Sequence, residues 1–153
     1  MFSHVVIFWT KPDQVGAAEA LLAGAEKYLK PLCHGTTWSC FAMTEPEVAG
    51  SDPTLIQTSA YEDGDEWVIT GHKWFISNAH RANFAILIVR TEENPDIPQA
   101  GNSAFIIDLP HEGWTEVREV ETMHGGTGHS EILIEEMRGN KTQMLGGRGQ
   151  GHL

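Results

Sequence analysis

With 153 residues and a hydrophobic content of 41%, the chain is long enough for one domain with a buried core. Its net charge of −11, with only ten Lys and Arg side chains, argues against nucleic acid and anionic membrane surfaces as partners, because both are negative. Residues 1–9 lack the charged start and cleavage site of a signal peptide, and no apolar run approaches the roughly 20 residues that span a bilayer. The two cysteines, Cys33 and Cys40, form no disulfide framework and predict free thiols in a reducing cytosol.

The N-terminal region predicts one strand and one helix. Residues 2–9 are rich in β-branched and aromatic side chains, which is typical of a buried strand. Residues 17–29 carry Ala, Leu, Glu and Lys with apolar positions at helical spacing, which predicts a helix. The proline and the glycine within residues 31–35 are expected to end it.

The remainder of the chain predicts short strands joined by tight turns. The strands are expected at residues 38–44, 55–61, 66–70, 84–89, 103–109, 114–120 and 131–136. Asp63-Gly64 is a strong hairpin signal, Gly71 is expected to break the strand that follows it, and residues 92–102 predict a surface loop. The fold class is therefore mainly β, an antiparallel barrel or sandwich preceded by one strand and one helix.

Two segments place hydroxyl groups at the ends of predicted strands. Residues 41–52 run from an apolar strand through Thr44 into a turn that closes on Gly-Ser-Asp, whose backbone N–H groups can face an anion. Residues 71–79 add an aromatic pair that includes Phe75, and a second hydroxyl on Ser77. Two hydroxyls, an aromatic wall and a glycine turn suit a flat, polar-edged ring with a phosphate tail, which describes a flavin.

These motifs resemble the middle β-domain of the acyl-CoA dehydrogenases. Met-Thr-Glu-Pro at residues 43–46, Ala-Gly-Ser-Asp at 49–52 and Gly-x-Lys-x-x-Ile-Ser-Asn at 71–78 occur in the family's order and spacing, and the resemblance runs from about Lys27 to the C-terminus. It implies α,β-dehydrogenation of an acyl-CoA thioester with FAD as cofactor. A carboxylate base removes the α-proton, a hydride passes to the flavin, and the electrons leave to an acceptor flavoprotein. It also implies a homo-oligomer, since family members bind FAD between protomers.

The resemblance assigns cofactor contacts to Phe41, Ala42, Met43, Thr44, Ser51, Phe75, Ile76 and Ser77. Thr44 matches a threonine that binds the pyrimidine edge of the flavin together with the backbone beside it. Ser51 matches a serine that holds the cofactor tail and the bound acyl-CoA substrate. Phe75 and Ser77 match a Trp and a Thr at the ring, so the wall here lacks an indole N–H. Trp74 is expected on the opposite side of the strand.

The resemblance also divides the chain into segments. Residues 1–35 are the N-terminal strand–helix segment, 36–141 the flavin-contacting β-domain, and 142–153 the start of a linker to an absent C-terminal helical domain. In the family the base and much of the acyl-CoA cavity come from helical domains. The chain is therefore expected to be an incomplete fragment, without a catalytic residue of its own and inactive alone. The expected location is cytoplasmic, or mitochondrial or peroxisomal in a eukaryote.

Several alternatives stay open. Roughly the first 30 residues resemble the opening strand and helix of the stress-responsive dimeric α/β-barrel family, which indicates either a natural or engineered junction or a divergent N-terminus. The chain is then a small α/β-barrel protein if that segment dictates the fold. Another alternative is a non-catalytic β-domain that acts as a structural or oligomerisation module. The spacing of the histidines at positions 111, 124, 129 and 152 matches no compact metal-binding pattern, so no metal site is predicted.

Two structural expectations concern the rim of the β-domain. Residues 41–44 and 75–77 are expected to end side by side, because both must reach one flavin ring. The surface near Met43, Phe75 and Ile76 is expected to form an exposed apolar patch, larger than is usual for soluble monomers. The chain alone is therefore expected to be marginally stable and to self-associate.

Overall fold

The computed structural model describes residues 15–50, 52–92, 101–123, 125 and 128–151. They fall into two compact units, one ending at Thr37 and the other beginning at Trp38. The strand predicted over residues 2–9 and most of the loop predicted over residues 92–102 lie outside the described residues. Within the described part, no helix has the length and apolar character that a membrane crossing requires.

The first unit contains one helical run in three parts: α1 at Ala17–Gly24, a π-helical stretch at Ala25–Leu29 and α2 at Lys30–Cys33. The residues at the two junctions keep right-handed helical angles, so the run continues past Pro31 and ends at Cys33, within the residues 31–35 where its end is predicted. Proline lacks the N–H that an α-helix needs, and the wider π turn just before it accommodates that loss. Gly35, in the left-handed conformation with φ 69°, then ends the run.

The second unit contains eight strands: β1 Ser39–Ala42, β2 Ser59–Asp63, β3 Glu66–Ser77, β4 Phe84–Arg90, β5 Asn102–Asp108, β6 Trp114–Glu119, β7 His129–Asn140 and β8 Met144–Leu145. They form one open sheet in the order β6-β7-β3-β2-β4-β5-β8, with β1 paired to β4. Short 3-10 turns lie at Pro53–Leu55, Ala79–Arg81 and Lys141–Gln143. The prediction of a mainly β fold is confirmed.

Strand pairing in the described residues is antiparallel except for two parallel pairs, β1 with β4 and, through Ser59 and Arg90, β2 with β4. Parallel neighbours need a long connection. The β2–β3 hairpin forms this long connection between β1 and β4. The parallel pairs differ from the antiparallel arrangement with tight turns that the sequence predicts.

The hairpin at Asp63-Gly64 joins β2 to β3, as predicted, and Gly64 has the positive φ of 63° that such a turn requires. The expectation that Gly71 breaks β3 is wrong, since the strand runs through it to Ser77. Glycine is needed there for space. A Cβ at position 71 would lie 2.3 Å from Thr58 Oγ1 and 2.5 Å from Thr58 Cβ.

β4 is buried on both faces, as its continuous apolar run predicts. Ala85, Leu87 and Val89 enter the main core cluster, which also contains Trp67, Ile69, Phe105, Ile107, Ile132, Ile134 and Met137. Ile88 on the other face packs with Ile56 and Ala104, and Met43 and Ile86 border this second cluster.

The residues after β8 lie along β5. Gly149 N donates to Ser103 Oγ at 2.9 Å, and Gly151 N donates to Asn102 O at 2.8 Å. Arg148 donates to Glu62 at 3.1 Å and also contacts Glu92. This stretch therefore continues the packing of the β-domain as far as residue 151.

Candidate functional site

The two predicted site segments meet at Thr44 and Trp74. Trp74 N donates to Thr44 O at 3.0 Å, and Thr44 Oγ1 donates to Trp74 O at 2.6 Å. Thr44 follows β1 directly, and Trp74 stands three residues before Ser77 at the end of β3. The two segments therefore adjoin at Thr44 and Trp74, and the predicted meeting of their ends, Thr44 with Ser77, stays a prediction.

A buried ion pair supports this junction from inside the sheet. Lys73 Nζ donates to Met43 O and to Glu45 Oε1, both at 2.8 Å. The Lys73 and Glu45 side chains are 0% and 2% exposed. Glu45 also accepts hydrogen bonds from Gln57 N at 2.7 Å and Thr58 N at 2.9 Å, so both carboxylate oxygens have donors. The pair ties together β1, β3 and the segment that leads into β2.

Two opposing effects determine the charges of this pair: burial disfavours the charged form of each group, and the attraction between the two groups favours it. Burial lowers the pKa of the Lys73 ammonium to about 8, although Glu45 opposes that shift. Burial alone would raise the pKa of Glu45, but the charge and hydrogen bond of Lys73 and the hydrogen bonds from Thr58 and Gln57 hold it below its ordinary value. Both groups are therefore ionised at pH 7.

Sequence reasoning missed this pair. Glu45 and Lys73 lie inside the Met-Thr-Glu-Pro and Gly-x-Lys motifs, but glutamate and lysine side chains are ordinarily exposed. The two residues are also 28 positions apart, so the sequence alone does not pair them. The available signal was the position of Lys73 directly before the apolar residues 74–76 of the strand.

The backbone is strained at Phe75. The pairing of β3 with β7 shifts between Lys73 and Ile76, so that two residues of β3 oppose one of β7. Within this bulge Phe75 has a φ of 53°, a conformation that costs a non-glycine residue about 1–3 kcal/mol. The bulge also breaks the alternation of side chains, and the Trp74 and Phe75 rings lie 4.7 Å apart. The prediction that Trp74 faces the opposite side is therefore wrong.

Three predicted site residues present their side chains to solvent. Phe41 and Phe75 are 53% and 43% exposed, and Ser77 is also exposed. Thr44 is half-buried, and its hydroxyl proton is already given to Trp74 O. Its side-chain oxygen can therefore accept a hydrogen bond from a ligand but not donate one while that bond stands.

The other predicted site residues are placed differently. Ala42 and Ile76 are 0% and 1% exposed, so only their backbone atoms could face a ligand, and the prediction of an exposed Ile76 is wrong. Met43 is half-buried against the second core cluster. Ser51 lies outside the described residues. Beside it, Gly50 closes on Thr44, where an added Cβ would lie 3.2 Å from the threonine methyl.

His129 lies beside Ser77, a contact that the sequence does not predict, since its histidines suggest only a possible metal site. His129 Nδ1 lies 2.9 Å from Ser77 Oγ, and its ring centroid lies 6.4 Å from that of Phe75, edge to face. His129 begins β7 directly opposite Ser77. No local pattern in one sequence links residues 52 positions apart, so only strand pairing discloses this contact.

A second histidine holds the turn after Thr44. His72 Nδ1 lies 2.7 Å from Glu47 Oε1, and its Nε2 lies 2.9 Å from Glu131 Oε1. Arg118 Nε donates to the other oxygen of Glu131 at 2.6 Å. Partial burial disfavours the imidazolium, but the hydrogen bonds and charges of the two glutamates outweigh it and raise the pKa of His72 above its ordinary 6.5. His72, itself on β3, therefore clamps the turn at Glu47 to Glu131 on β7.

We expect this clamp to make stability depend on pH. Because the pKa of His72 is higher in the folded than in the unfolded protein, its protonated form stabilises the fold. This contribution is fully present below pH 6.5 and is lost as the pH rises through the folded-state pKa. His72→Gln should therefore be destabilising at pH 6 and progressively less so towards pH 9. Urea unfolding of both proteins across this range checks it. The difference between their free energies of unfolding cancels the titration of Lys73 and of the other histidines, which both proteins share. A difference that stays constant with pH would contradict the expectation.

Comparison with known proteins places this geometry in a family. The family described as "Acyl-CoA dehydrogenase, middle domain" matches residues 40–139, which run from the second residue of β1 to the last but one of β7 and include the Thr44–Trp74 junction. The chain belongs to the acyl-CoA dehydrogenase family. The recognition made from the motifs is thereby confirmed, and the resemblance of the N-terminus to stress-responsive proteins stays a prediction.

Individual relatives agree with the assignment to the acyl-CoA dehydrogenases. The chain is 38% identical over 130 residues to a probable acyl-CoA dehydrogenase of Mycobacterium tuberculosis, covering 82% of this chain and 31% of that protein. It is 33% identical over 145 residues to a caffeyl-CoA reductase-Etf complex subunit of Acetobacterium woodii, covering 92% and 38%. The crystal structure of an acyl-CoA dehydrogenase from Geobacillus kaustophilus matches with a TM-score of 0.78 at 26% identity, covering 88% and 37%. The chain thus spans well under half the length of each.

Proposed function

We propose that this chain is the FAD-contacting portion of an enzyme that oxidises acyl-CoA thioesters. The observation that carries the proposal is the strained, exposed Phe75 between the Thr44 junction and Ser77, inside the segment that matches the family. Backbone strain of this kind is concentrated at functional sites. An aromatic face held outward at a bulge serves no packing need of the β-domain core.

The residues present fit a flavin. Phe75 offers a π surface for the flat ring, and Ser77 offers a hydroxyl at the edge of that surface. Gly50, where a Cβ would press on Thr44, lets the backbone of the turn approach a ligand closely. When bound, FAD would supply the two-electron acceptor chemistry that amino-acid side chains lack.

Each residue then has a defined task. Phe75 would stack on the ring, and Ser77 would bind its reactive edge. Thr44 would accept a hydrogen bond through Oγ1, since its own proton is given to Trp74 O. Ser51, beside Gly50, would hold the cofactor tail and the acyl-CoA. Lys73 holds the Met43 carbonyl, so it keeps the backbone before Thr44 in place.

The substrate and the electron acceptor follow from the family and its relatives. We propose an acyl-CoA thioester whose α-proton is removed by a base outside this β-domain, so the 153-residue chain alone is expected to turn over no acyl-CoA. The name of one relative, a subunit of a reductase-Etf complex, supports an electron-transferring flavoprotein as partner. The outward Phe41 and Phe75 also suit a homo-oligomer with the cofactor between protomers.

Titration of the purified chain with FAD tests the proposal. The wild type should quench flavin fluorescence saturably, and Phe75→Ala should weaken binding about tenfold or more, since a lost stacking partner costs about 1.4 kcal/mol. Tyr61→Ala is the matched control, because Tyr61 is a 59% exposed aromatic on β2 that lines a separate hollow with Arg148. It should leave the affinity unchanged.

Absence of saturable binding by the wild type, or equal losses in both variants, would contradict the proposal. Static light scattering without FAD then tests the alternative, a β-domain that serves as an oligomerisation module. That alternative gains its support from the exposed Phe41 and Phe75.

A further inference from the structure

We infer that His129 is a positioning residue that aims the hydroxyl proton of Ser77 at the bound flavin. The inference rests on the proposed function and adds to it a residue outside the three matching motifs. In this arrangement His129 carries a proton on Nδ1 and donates it to Ser77 Oγ. Ser77 is then free to donate its own proton to the ligand.

The geometry around His129 places its ring beside Ser77 and Phe75. Its Nδ1 lies 2.9 Å from Ser77 Oγ, and its ring meets the exposed Phe75 edge to face with centroids 6.4 Å apart. The backbone is fixed on both sides, because Val120 N donates to His129 O at 2.7 Å and Asn78 N donates to Gly128 O at 2.8 Å. His129 therefore borders the two side chains that the proposed site turns outward.

The proton count decides the direction of the Ser77 bond. A serine hydroxyl has one proton and two lone pairs. If His129 Nδ1 lacked a proton, Ser77 would have to give its proton to the histidine and could offer a ligand only lone pairs. The reactive edge of an oxidised flavin, at N5 and O4, presents only acceptor atoms, so Ser77 must donate to it. His129 must then be the donor at Nδ1.

The same contact could be an ordinary cross-strand pair that only stabilises the pairing of β3 with β7, and the test separates these roles. His129→Leu removes the polar atom, whereas His129→Asn keeps one near the position of Nδ1. We expect His129→Leu to weaken FAD binding by about tenfold and His129→Asn to retain most of the affinity. In a Ser77→Ala background, His129→Leu should have no further effect on FAD affinity, although a purely structural loss would persist in urea unfolding.

A second readout observes the proton directly. Nitrogen-15 NMR of the histidine rings, with His129 assigned through His129→Asn, should show a protonated Nδ1 in the FAD complex. FAD binding with an unprotonated Nδ1, with full affinity in His129→Leu, or with a loss that persists unchanged in the Ser77→Ala background would overturn this inference and leave the proposed function standing. If the wild-type chain binds no FAD, both fall together.

Discussion

Replacing Lys73 by methionine should destabilise the β-domain by about 3–5 kcal/mol, the usual result of removing one partner from a buried ion pair. The Glu45 carboxylate would remain 2% exposed with no countercharge, and the Met43 carbonyl would lose its donor. A loss of that size is a large part of the total stability of an ordinary domain. Urea unfolding followed by tryptophan fluorescence measures it.

Lys141→Met is the matched control for this substitution. Lys141 also pairs with a glutamate, Glu62, at 3.2 Å, but both side chains are more than 40% exposed. Exposed pairs contribute between zero and about 1 kcal/mol, so this variant should unfold close to the wild type. Adding Glu45→Gln to Lys73→Met should restore part of the stability by removing the stranded charge. Equal effects of Lys73→Met and Lys141→Met would refute the assignment of a buried pair.

Substituting alanine for Gly71 should cost about 3 kcal/mol or more, although alanine usually suits a strand interior better than glycine. The added Cβ would lie 2.3 Å from Thr58 Oγ1 and 2.5 Å from both carbons of that side chain, so β3 and the segment before β2 must separate. Thr58 N also donates to Glu45, so the displacement would reach the buried ion pair. Unfolding in urea gives the loss of stability.

A second glycine shows whether crowding is the cause. At Gly139 in β7 the tightest contact of an added Cβ would be the end of the flexible Gln143 side chain at 3.3 Å, so Gly139→Ala should change stability by less than about 1 kcal/mol. The Gly71→Ala effect should shrink in a Thr58→Gly background, since the clashing atoms are then absent. An unchanged effect in that background would mean that the backbone of β3 itself rejects a side chain.

Much of the fold was predictable because its signals are local. The hairpin at Asp63-Gly64 follows from turn chemistry, and the burial of β4 on both faces follows from an unbroken apolar run. Each of these signals lies in a few adjacent residues. The motifs at residues 43–46 and 71–78 identified the family for the same reason. They also placed two site segments next to each other before any pairing was known.

The remaining features depend on which strands pair. Gly71 was interpreted as a strand break because its need for space comes from Thr58, across a strand boundary. Trp74 and Phe75 were assigned to opposite faces by alternation, and the bulge against β7 overrides that rule.

The chemistry of the candidate site divides in the same way. Hydroxyl and aromatic residues at Thr44, Phe75 and Ser77 are evident from the order of residues along the chain, because each lies in a short motif. The burial of Lys73 with its partner glutamate arises when β3 packs against the segment that follows β1, and the approach of His129 to Ser77 arises when β3 pairs with β7. Their energies come from desolvation and hydrogen-bond geometry, which exist only once distant strands are packed together.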